Sequence, residues 1–466
     1  MWTNIIKSIR LFFACLNPHT FFLFFSLLFG SLMLLLNPPF MVPDEPNHFL
    51  RAYQISEGTI ISVQENQRVG GTLPQSILEV SKPFYPLIWS GNECKLKNID
   101  LNLAWNMPLN QNQRQFCDFI NTAFYSPICY APQALAIFIG RQLDTPPLKL
   151  VYLARIFSLL FWCIVVYFSI QLIPIGKWLM TFLALLPMSL FVNSSLSADV
   201  VTNAVAFLFI AYVLHLCLVH NSLRPIHYVF IMALIMCLSM IKPVYFFLAG
   251  LLVLVPKSGK DFILLLLCSL PGLILCFLWM HLIRDLQLGY DQYNHQWRDF
   301  TALAQGADLN KQLDYVMTNP GSSISRIKNS ILLYFSAKSG EYIGVFGWIT
   351  MPMPNWLVVF TYICLFPVSM FGSSEGYKLR LSHKLVLFIV FTVSLGLNFL
   401  AQYLWWTPVG GQHSAIQGRY LIPIAPLFFL MLQSRWHFKP YVAPIVVISV
   451  LLGLMVSLNL LLMRYY

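Results

Sequence analysis

Two adjacent carboxylates, Asp44 and Glu45, open the stretch in which this chain concentrates side chains capable of chemistry. His48 and Arg51 follow closely, although charged residues make up only 10% of the sequence. The stretch comes directly after the first apolar run, residues 21–36, so it emerges at a membrane surface. We interpret it as the acid and base end of an active site that faces away from the cytoplasm.

The carboxylate pair has two compatible interpretations. As structure, Asp44 caps a short helix whose first turn holds Glu45 and Pro46, residue types that are favoured there. As chemistry, a carboxylate at the membrane surface deprotonates an incoming hydroxyl. Because the hydrogen bonds of a helix cap stabilise the charged carboxylate and weaken it as a base, the roles fit together if one carboxylate caps and the other acts as the base.

The helix that this pair opens carries further candidates. His48 and Arg51 stand one turn apart and share a helix face, and the planar guanidinium of Arg51 can pair with a phosphate. Snorkelling to the interface explains many arginines beside membranes. Tyr53 shares a face with Phe49 and Ala52, which predicts an amphipathic helix lying on the membrane surface.

Two charged residues lie at the ends of later apolar runs. Asp199 follows Ser195 and Ser197 at the start of one run, and helix capping explains that stretch when it is taken alone. Lys242 precedes Pro243 between two other runs. A charged residue at a broken membrane helix is a candidate site residue, and snorkelling explains it equally well.

A glycine-rich loop, residues 410–420, contains His413 and ends at Arg419 and Tyr420. The backbone amides of such a loop, together with an arginine, form a plausible anion cradle. Glycine loops between helices are also common without any ligand, so the loop alone is a weak signal.

The elements that position these residues are apolar helices. Hydrophobic residues make up 58% of the 466-residue chain, and the mean hydropathy is +0.68, more than a soluble domain could cover with polar surface. Helices satisfy their own backbone groups in lipid, so we expect an all-α, polytopic transmembrane fold with about 11–12 membrane segments. The candidate segments are 21–36, 126–140, 150–173, 178–192, 200–220, 227–241, 244–255, 262–281, 356–371, 385–404, 420–432 and 441–462.

The charge pattern orients the segments but leaves one conflict. Basic residues cluster in short loops, which marks those loops as cytoplasmic; they are Lys7 and Arg10, Lys257 and Lys260, Lys378, Arg380 and Lys384, and Arg435 and Lys439. Counting back from the cytoplasmic loop at Lys257 and Lys260 places Asp199 outside and Lys177 inside, whereas counting forward from the outer loop 41–122 places both on the opposite sides. One run between 126 and 200 is therefore re-entrant, or two runs form one crossing. The short run 178–192, which carries Pro187, is the favoured re-entrant candidate.

The whole chain, residues 1–466, reads as a single membrane domain with two long extracytoplasmic loops, 41–122 and 283–351, where acidic residues concentrate. The first run has no cleavage site after it, which favours a retained signal-anchor with its N-terminus inside. The net charge of +11 does not indicate nucleic acid, because no basic stripe with interleaved stacking aromatics is present.

Cys94 and Cys117 both lie in the first of these loops. An oxidising compartment would permit a disulfide between them, and two free thiols are the alternative. No cysteine or histidine cluster in the sequence has the spacing of metal ligands.

The same residues carry a family resemblance. The motif at 43–53 closely resembles the signature of a bacterial multipass membrane family of unknown function, and the resemblance continues in order along the chain. Its motifs are Pro43-Asp44-Glu45-Pro46-x-His48-Phe49-x-Arg51-Ala52-Tyr53, Gly70-Gly71-x-Leu73-Pro74, Leu186-Pro187-Met188, Ser197-Ala198-Asp199, Lys242-Pro243, Phe346-Gly347-Trp348 and Gln417-Gly418-Arg419-Tyr420-x-x-Pro423. One departure is that Ile349-Thr350 stand where the family tends to have an acidic residue.

That family looks like a branch of the GT-C glycosyltransferases, polytopic enzymes whose first outer loop carries the catalytic acidic residue, and the resemblance implies that this chain lies in the bacterial inner (cytoplasmic) membrane. The resemblance implies transfer of a sugar from a polyprenyl-phosphate donor to a glycan or lipid acceptor outside the cytoplasm, with inversion. It implies Asp44 as the general base with Glu45 as its partner, Arg419 and then Arg51 as phosphate ligands, His48, Lys242 and His413 as further donor contacts, and Asp199, Tyr53 and Tyr420 as support. Some such enzymes need a divalent metal, and no ligand set in this sequence argues for one.

Three rival functions remain at this stage. A transporter or flippase would place paired ionisable residues near the bilayer midplane, whereas the apolar runs here are almost free of carboxylates. A polymerase or ligase of lipid-linked glycans would depend on arginine and histidine rather than on a carboxylate pair. A scaffold for envelope assembly would keep the fold without the activity.

Overall fold

The computed structural model describes residues 16–90, 93–372, 376–412, 416–434 and 439–466 of this chain. Its helices, in chain order, are α1 Pro18–Leu36, α2 Glu45–Ser56, α3 Gln75–Glu79, α4 Tyr85–Trp89, α5 Leu101–Asn106, α6 Ile120–Ala123, α7 Ala131–Arg141, α8 Pro147–Leu172, α9 Lys177–Ala184, α10 Pro187–Asn193, α11 Asp199–Leu218, α12 Pro225–Ile241, α13 Gly259–Leu282, α14 Leu309–Thr318, α15 Pro320–Leu333, α16 Gly340–Ile343, α17 Asn355–Phe371, α18 Leu381–Trp406, α19 Ala425–Met431 and α20 Lys439–Tyr465. Among these described segments, six are long and apolar enough to cross a membrane, namely α1, α8, α11, α13, α18 and α20. The chain is therefore a helical membrane protein, as predicted.

Shorter or broken segments complete the bundle. They are the broken pair α9–α10, the helices α12 and α17, the 3₁₀ helix Pro243–Leu254, and the 3₁₀ turn Gly418–Leu421 followed by α19. Leu186, the residue before Pro187, is extended (ψ 143°) and breaks the apolar run between α9 and α10, because a residue before proline is pushed out of the helical region.

Contacts between segment ends define two ends of the bundle. At the first, which we call the basic end, the Thr181 hydroxyl donates to the Pro18 carbonyl over 3.2 Å, and the Lys257 ammonium donates to the Cys217 carbonyl over 2.7 Å. At the other, the site end, the Leu196 amide donates to Glu45 over 3.0 Å. The His215 ring near the end of α11 contacts the Leu172 carbonyl at the end of α8, so α8 and α11 both end at the basic end, and α9–α10 runs from there to the site end.

These contacts resolve the conflict between residues 126 and 200, and they correct the prediction for it. The run 178–192 extends from the basic end to the site end, so it passes along the length of the bundle and does not turn back. The run 126–140 is the one that stays at the site end, where α7 lies along α2: Tyr130 contacts His48 before α7 begins, and Arg141 at its end donates to the Ser56 carbonyl. The 11 residues of α7 reach only about 16 Å, which is too short to cross a bilayer.

The first outer loop contains a small antiparallel sheet in the order β1-β2-β3, formed by Val63–Glu65, Arg68–Pro74 and Arg114–Asp118. A further pair, β4 Val345–Phe346 and β5 Met351–Pro352, lies in the second loop. In β2, a Cβ on Gly70 would stand 1.9 Å from the Cys117 carbonyl oxygen, so the pairing of β2 with β3 requires glycine there.

Two predictions for this loop are wrong. The helix α2 is not a surface helix, because residues around its whole circumference are buried under α7, β2 and the segment that follows β3, Phe49, Arg51 and Tyr53 among them. The disulfide is not formed, since Cys94 and Cys117 are both free thiols. Cys117 is held in β3 opposite Gly71, whereas the Cys94 carbonyl accepts from Arg464 at the end of α20.

Candidate functional site

Asp44 stands at the start of α2 but does not cap it. Its backbone is left-handed (φ 66°) and its side chain makes no capping bond, which corrects the predicted capping role. The carboxylate turns instead toward two partners: the Asn121 amide donates to Oδ1 over 2.9 Å, and Arg419 donates to Oδ2 over 2.9 Å. With 27% of its side chain exposed, Asp44 is the accessible carboxylate of this network.

The exposed side of Asp44 faces a cavity of about 280 Å³ at the site end. Its walls come from α2, α6, α11, α18, the second outer loop and the turn that carries Arg419. The lining residues are Asp44, His48, Asn121, Thr122, Tyr125, Asp199, Ala302, Ala304, Gln402, Trp406, Gln417, Arg419 and Tyr420. Segments far apart in the sequence thus converge on one polar chamber.

Two cations and two anions meet beside this cavity. Arg419, whose side chain is only 2% exposed, pairs with Asp44 and places its Nε 3.5 Å from Asp199. Lys242 donates to the other oxygen of Asp199 over 2.5 Å, and its ammonium lies 4.8 Å from the ring centre of Tyr420. The two positive and two negative charges cancel, so the site balances its own charge.

His48 lines the same cavity as a neutral imidazole. Its Nδ1 lies 2.6 Å from the Tyr130 hydroxyl. Burial lowers the pKa of His48 to about 4, and the opposing influence of the Asp44 carboxylate is smaller. At neutral pH the ring therefore carries no charge, and it contributes an uncharged hydrogen-bonding group to the cavity lining.

Glu45 does not join Asp44 in the cavity. Its carboxylate is fully buried and receives both prongs of Arg155, with Nε to Oε1 at 2.8 Å and the terminal nitrogen to Oε2 at 2.5 Å. Arg155 also donates to the carbonyls of Asn37 and Pro38 where α1 ends. This pair fixes α1, α2 and α8 together, and the expected role of Glu45 as the catalytic partner does not fit the arrangement.

Arg51 and Tyr53 also point away from the cavity. Arg51 is buried and donates to the Gln54 side chain and to the carbonyls of Ile60 and Tyr125, so it holds the loop in place and has no face for a phosphate. Tyr53 is buried against the guanidinium of Arg141. His413 lies outside the described residues.

The structure adds residues that the sequence did not reveal. Asn121, Gln402, Trp406 and Gln417 line the cavity, and Arg155 anchors Glu45. Asn121, Gln402, Trp406 and Arg155 belong to no local motif, and only the fold brings them to the site. Gln417 alone had a signal, because it belongs to the motif that ends in Arg419.

The donor set does not fit a resident divalent metal. Both carboxylates of the cavity are already paired, Asp44 with Arg419 and Asp199 with Lys242. Within the described ranges, no group of three His, Cys, Asp or Glu residues is placed to hold a metal ion.

Comparison with known proteins identifies a family of membrane proteins. The model of a family described as "Predicted membrane protein (DUF2142)" matches residues 27–428, which include every described residue of the cavity. No curated protein and no solved structure matches the chain.

Proposed function

The chain belongs to the DUF2142 family of predicted membrane proteins, and from its site we propose that it is a membrane glycosyltransferase that uses a polyprenyl-phosphate sugar. The observation that carries the proposal is the placement of an accessible carboxylate, Asp44, directly against a buried cation, Arg419, in a polar cavity. An inverting transfer from a sugar phosphate needs these two functions and no strong acid.

The reaction assigns one step to each group. The acceptor hydroxyl gives its proton to the Asp44 carboxylate while its oxygen forms a bond to the anomeric carbon. The bond between that carbon and the phosphate oxygen breaks, and the electron pair leaves with the phosphate. Arg419, with Lys242 behind Asp199, stabilises the departing charge.

The resting ion pair also suggests an order of binding. Arg419 donates to one oxygen of Asp44, so the guanidinium and an acceptor hydroxyl compete for that oxygen. A donor phosphate competes with Asp44 for this guanidinium, so donor binding frees the carboxylate to accept a proton. We therefore expect the donor to bind before the acceptor.

An apolar cavity on the same turn supports a lipid-linked donor. It measures about 330 Å³ and is lined by Tyr334, Phe335, Ser339, Tyr342, Tyr362, Phe366, Phe391, Leu421, Ala425, Phe428 and Phe429. Leu421 lines it two residues after Arg419, and Phe335 and Phe366 are 49% and 41% exposed at the bundle surface. A prenyl chain there would follow a phosphate held at Arg419.

Charge distribution supports an extracytoplasmic site. Lys177, Lys257, Lys260, Lys378 and Arg380 lie on segments that meet at the basic end. Short basic loops mark the cytoplasmic side of a membrane protein. In a bacterial inner membrane, the site end would then face the periplasm or cell exterior.

The test is sugar transfer from a polyprenyl-phosphate sugar by purified protein in detergent. We expect Asp44→Asn to lower the rate by about 100-fold or more, the usual contribution of a positioned base, and Arg419→Lys to weaken donor use because it loses the planar fork. Gln64→Ala, in the exposed strand β1, is the matched control and keeps full activity.

Two outcomes would contradict the proposal. Transfer that survives Asp44→Asn rules out this carboxylate as the base. Movement of a lipid-linked glycan across the membrane, driven by an ion gradient and without a new glycosidic bond, would assign the site to a transporter instead.

A further inference from the structure

A second polar cavity lies at the basic end, remote from the site already described. It has a volume of about 380 Å³ and is bounded by the approach to α18 and the segment after α19. Its lining residues are Tyr377, Lys378, Leu379, Arg380, Leu381, Lys384, Gln433 and Ser434. Neither the sequence motifs nor the proposed reaction uses it.

Three cations converge on this cavity. Lys384 is half-buried and is fixed in place because its ammonium donates to the Gln433 carbonyl. Lys378 and Arg380 are exposed at the rim. None of the eight described lining residues is acidic, so the charge of the described lining is positive and is suited to an anion.

An apolar stripe runs from these cations along α18. Leu381, Leu385, Phe388 and Ile389 are 74%, 51%, 50% and 57% exposed, respectively. Their spacing places them on one helix face. Because α18 is a membrane-spanning helix, this exposed face meets lipid chains, and it begins at the cavity itself.

We propose that the cavity lined by Lys378, Arg380 and Lys384 binds the phosphate headgroup of an anionic phospholipid, with an acyl chain along the Leu381–Ile389 stripe. Basic pockets between membrane helices on the cytoplasmic side are suited to such headgroups. A free phosphate would use the same cations, but it would leave the adjoining stripe without a role. The lipid explains both features together.

The experiment measures thermal unfolding of the full chain in nanodiscs that contain either phosphatidylcholine alone or phosphatidylcholine with phosphatidylglycerol. We expect phosphatidylglycerol to raise the melting temperature of the wild type. The variant Lys378→Gln/Arg380→Gln loses that increase, because both exposed cations are removed while the bond from Lys384 stays. The variant Arg224→Gln/Lys260→Gln removes two exposed charges from the same end and keeps the increase.

Three results would overturn the proposal: an unchanged response of the Lys378/Arg380 variant, an equal loss in the Arg224/Lys260 control, or the same stabilisation by millimolar inorganic phosphate in phosphatidylcholine discs. The second would mean diffuse attraction to a charged surface, and the third a site for a soluble anion. The readout is unfolding and not sugar transfer, so its failure is separate from failure of the proposed activity.

Discussion

Asp44 and Glu45 are neighbours in sequence, but their side chains lie in different surroundings. One faces a cavity and the other is sealed against Arg155. The sequence predicted that the two carboxylates divide the roles of structure and chemistry, but it assigned the structural role to helix capping. The division arises instead because the left-handed backbone at Asp44 turns its side chain away from α2. A long-range arginine partner carries no local signal, so it could not be predicted from this stretch.

The buried pair gives a prediction about stability. Glu45→Gln leaves the Arg155 charge buried without its partner, which typically costs about 3–5 kcal/mol. We expect a marked fall in the melting temperature and in the yield of folded protein. Glu45→Gln/Arg155→Met, which removes both charges, recovers much of the loss; equal instability of the single and double variants would mean that the ion pair is not the cause.

His48 predicts a dependence of stability on pH. Its folded-state pKa is about 4, whereas the pKa of an unfolded histidine is about 6.5. Between these values the unfolded chain binds a proton that the folded chain does not, so this group lowers stability as the pH falls from about 6.5 to about 4. As the pH is lowered over that range, the melting temperature should fall more steeply for the wild type than for His48→Gln. If the melting temperatures of the two proteins fall equally with pH, protonation of His48 does not oppose folding.

At the scale of elements, apolar runs predicted where helices form, and their bounds agree closely with the segments of the bundle. The apolar runs alone could not predict which of them extends from one end of the bundle to the other. A short run under an outer loop, such as α7, is as apolar as one in lipid, because hydrophobic burial and exposure to acyl chains select the same residues. Only contacts between segment ends separate α7 from the broken pair α9–α10.

The sheet of the first outer loop depends on a glycine. Gly70→Ala forces a Cβ into the Cys117 carbonyl and must move β2 away from β3. We expect a loss of unfolding free energy of more than about 2 kcal/mol, in the range caused by backbone clashes. Gly396→Ala, in the middle of α18 with nothing within 4 Å of the new methyl group, is the matched control. It should be neutral or stabilising, since alanine favours a helix by up to about 1 kcal/mol over glycine.

At the scale of the whole molecule, two cavities of different polarity share the turn Gly418–Leu421. The family resemblance implied Arg419 as a phosphate ligand, but nothing in the sequence indicated the apolar cavity, which is lined mainly by aromatic residues from separate helices. Aromatic residues fill lipid-facing surfaces and cores equally well, so no sequence pattern marks that cavity.

Under the proposed function, narrowing the apolar cavity changes the choice of donor. Ala425→Leu places a larger side chain in the lining, so we expect a higher KM for a long-chain polyprenyl donor and little change for a short-chain analogue. The control Val393→Phe enlarges an exposed side chain of α18 outside that lining. If both donors are affected equally by Ala425→Leu, the cavity does not hold the chain.

The left-handed backbone at position 44 limits what evolution or an engineer can place there. Aspartate and asparagine are the non-glycine residues that tolerate this conformation best, and they are nearly the same shape. One can take up a proton from an acceptor and the other cannot. Under the proposed function, an exchange between aspartate and asparagine at position 44 would switch the activity on or off while the backbone conformation is kept.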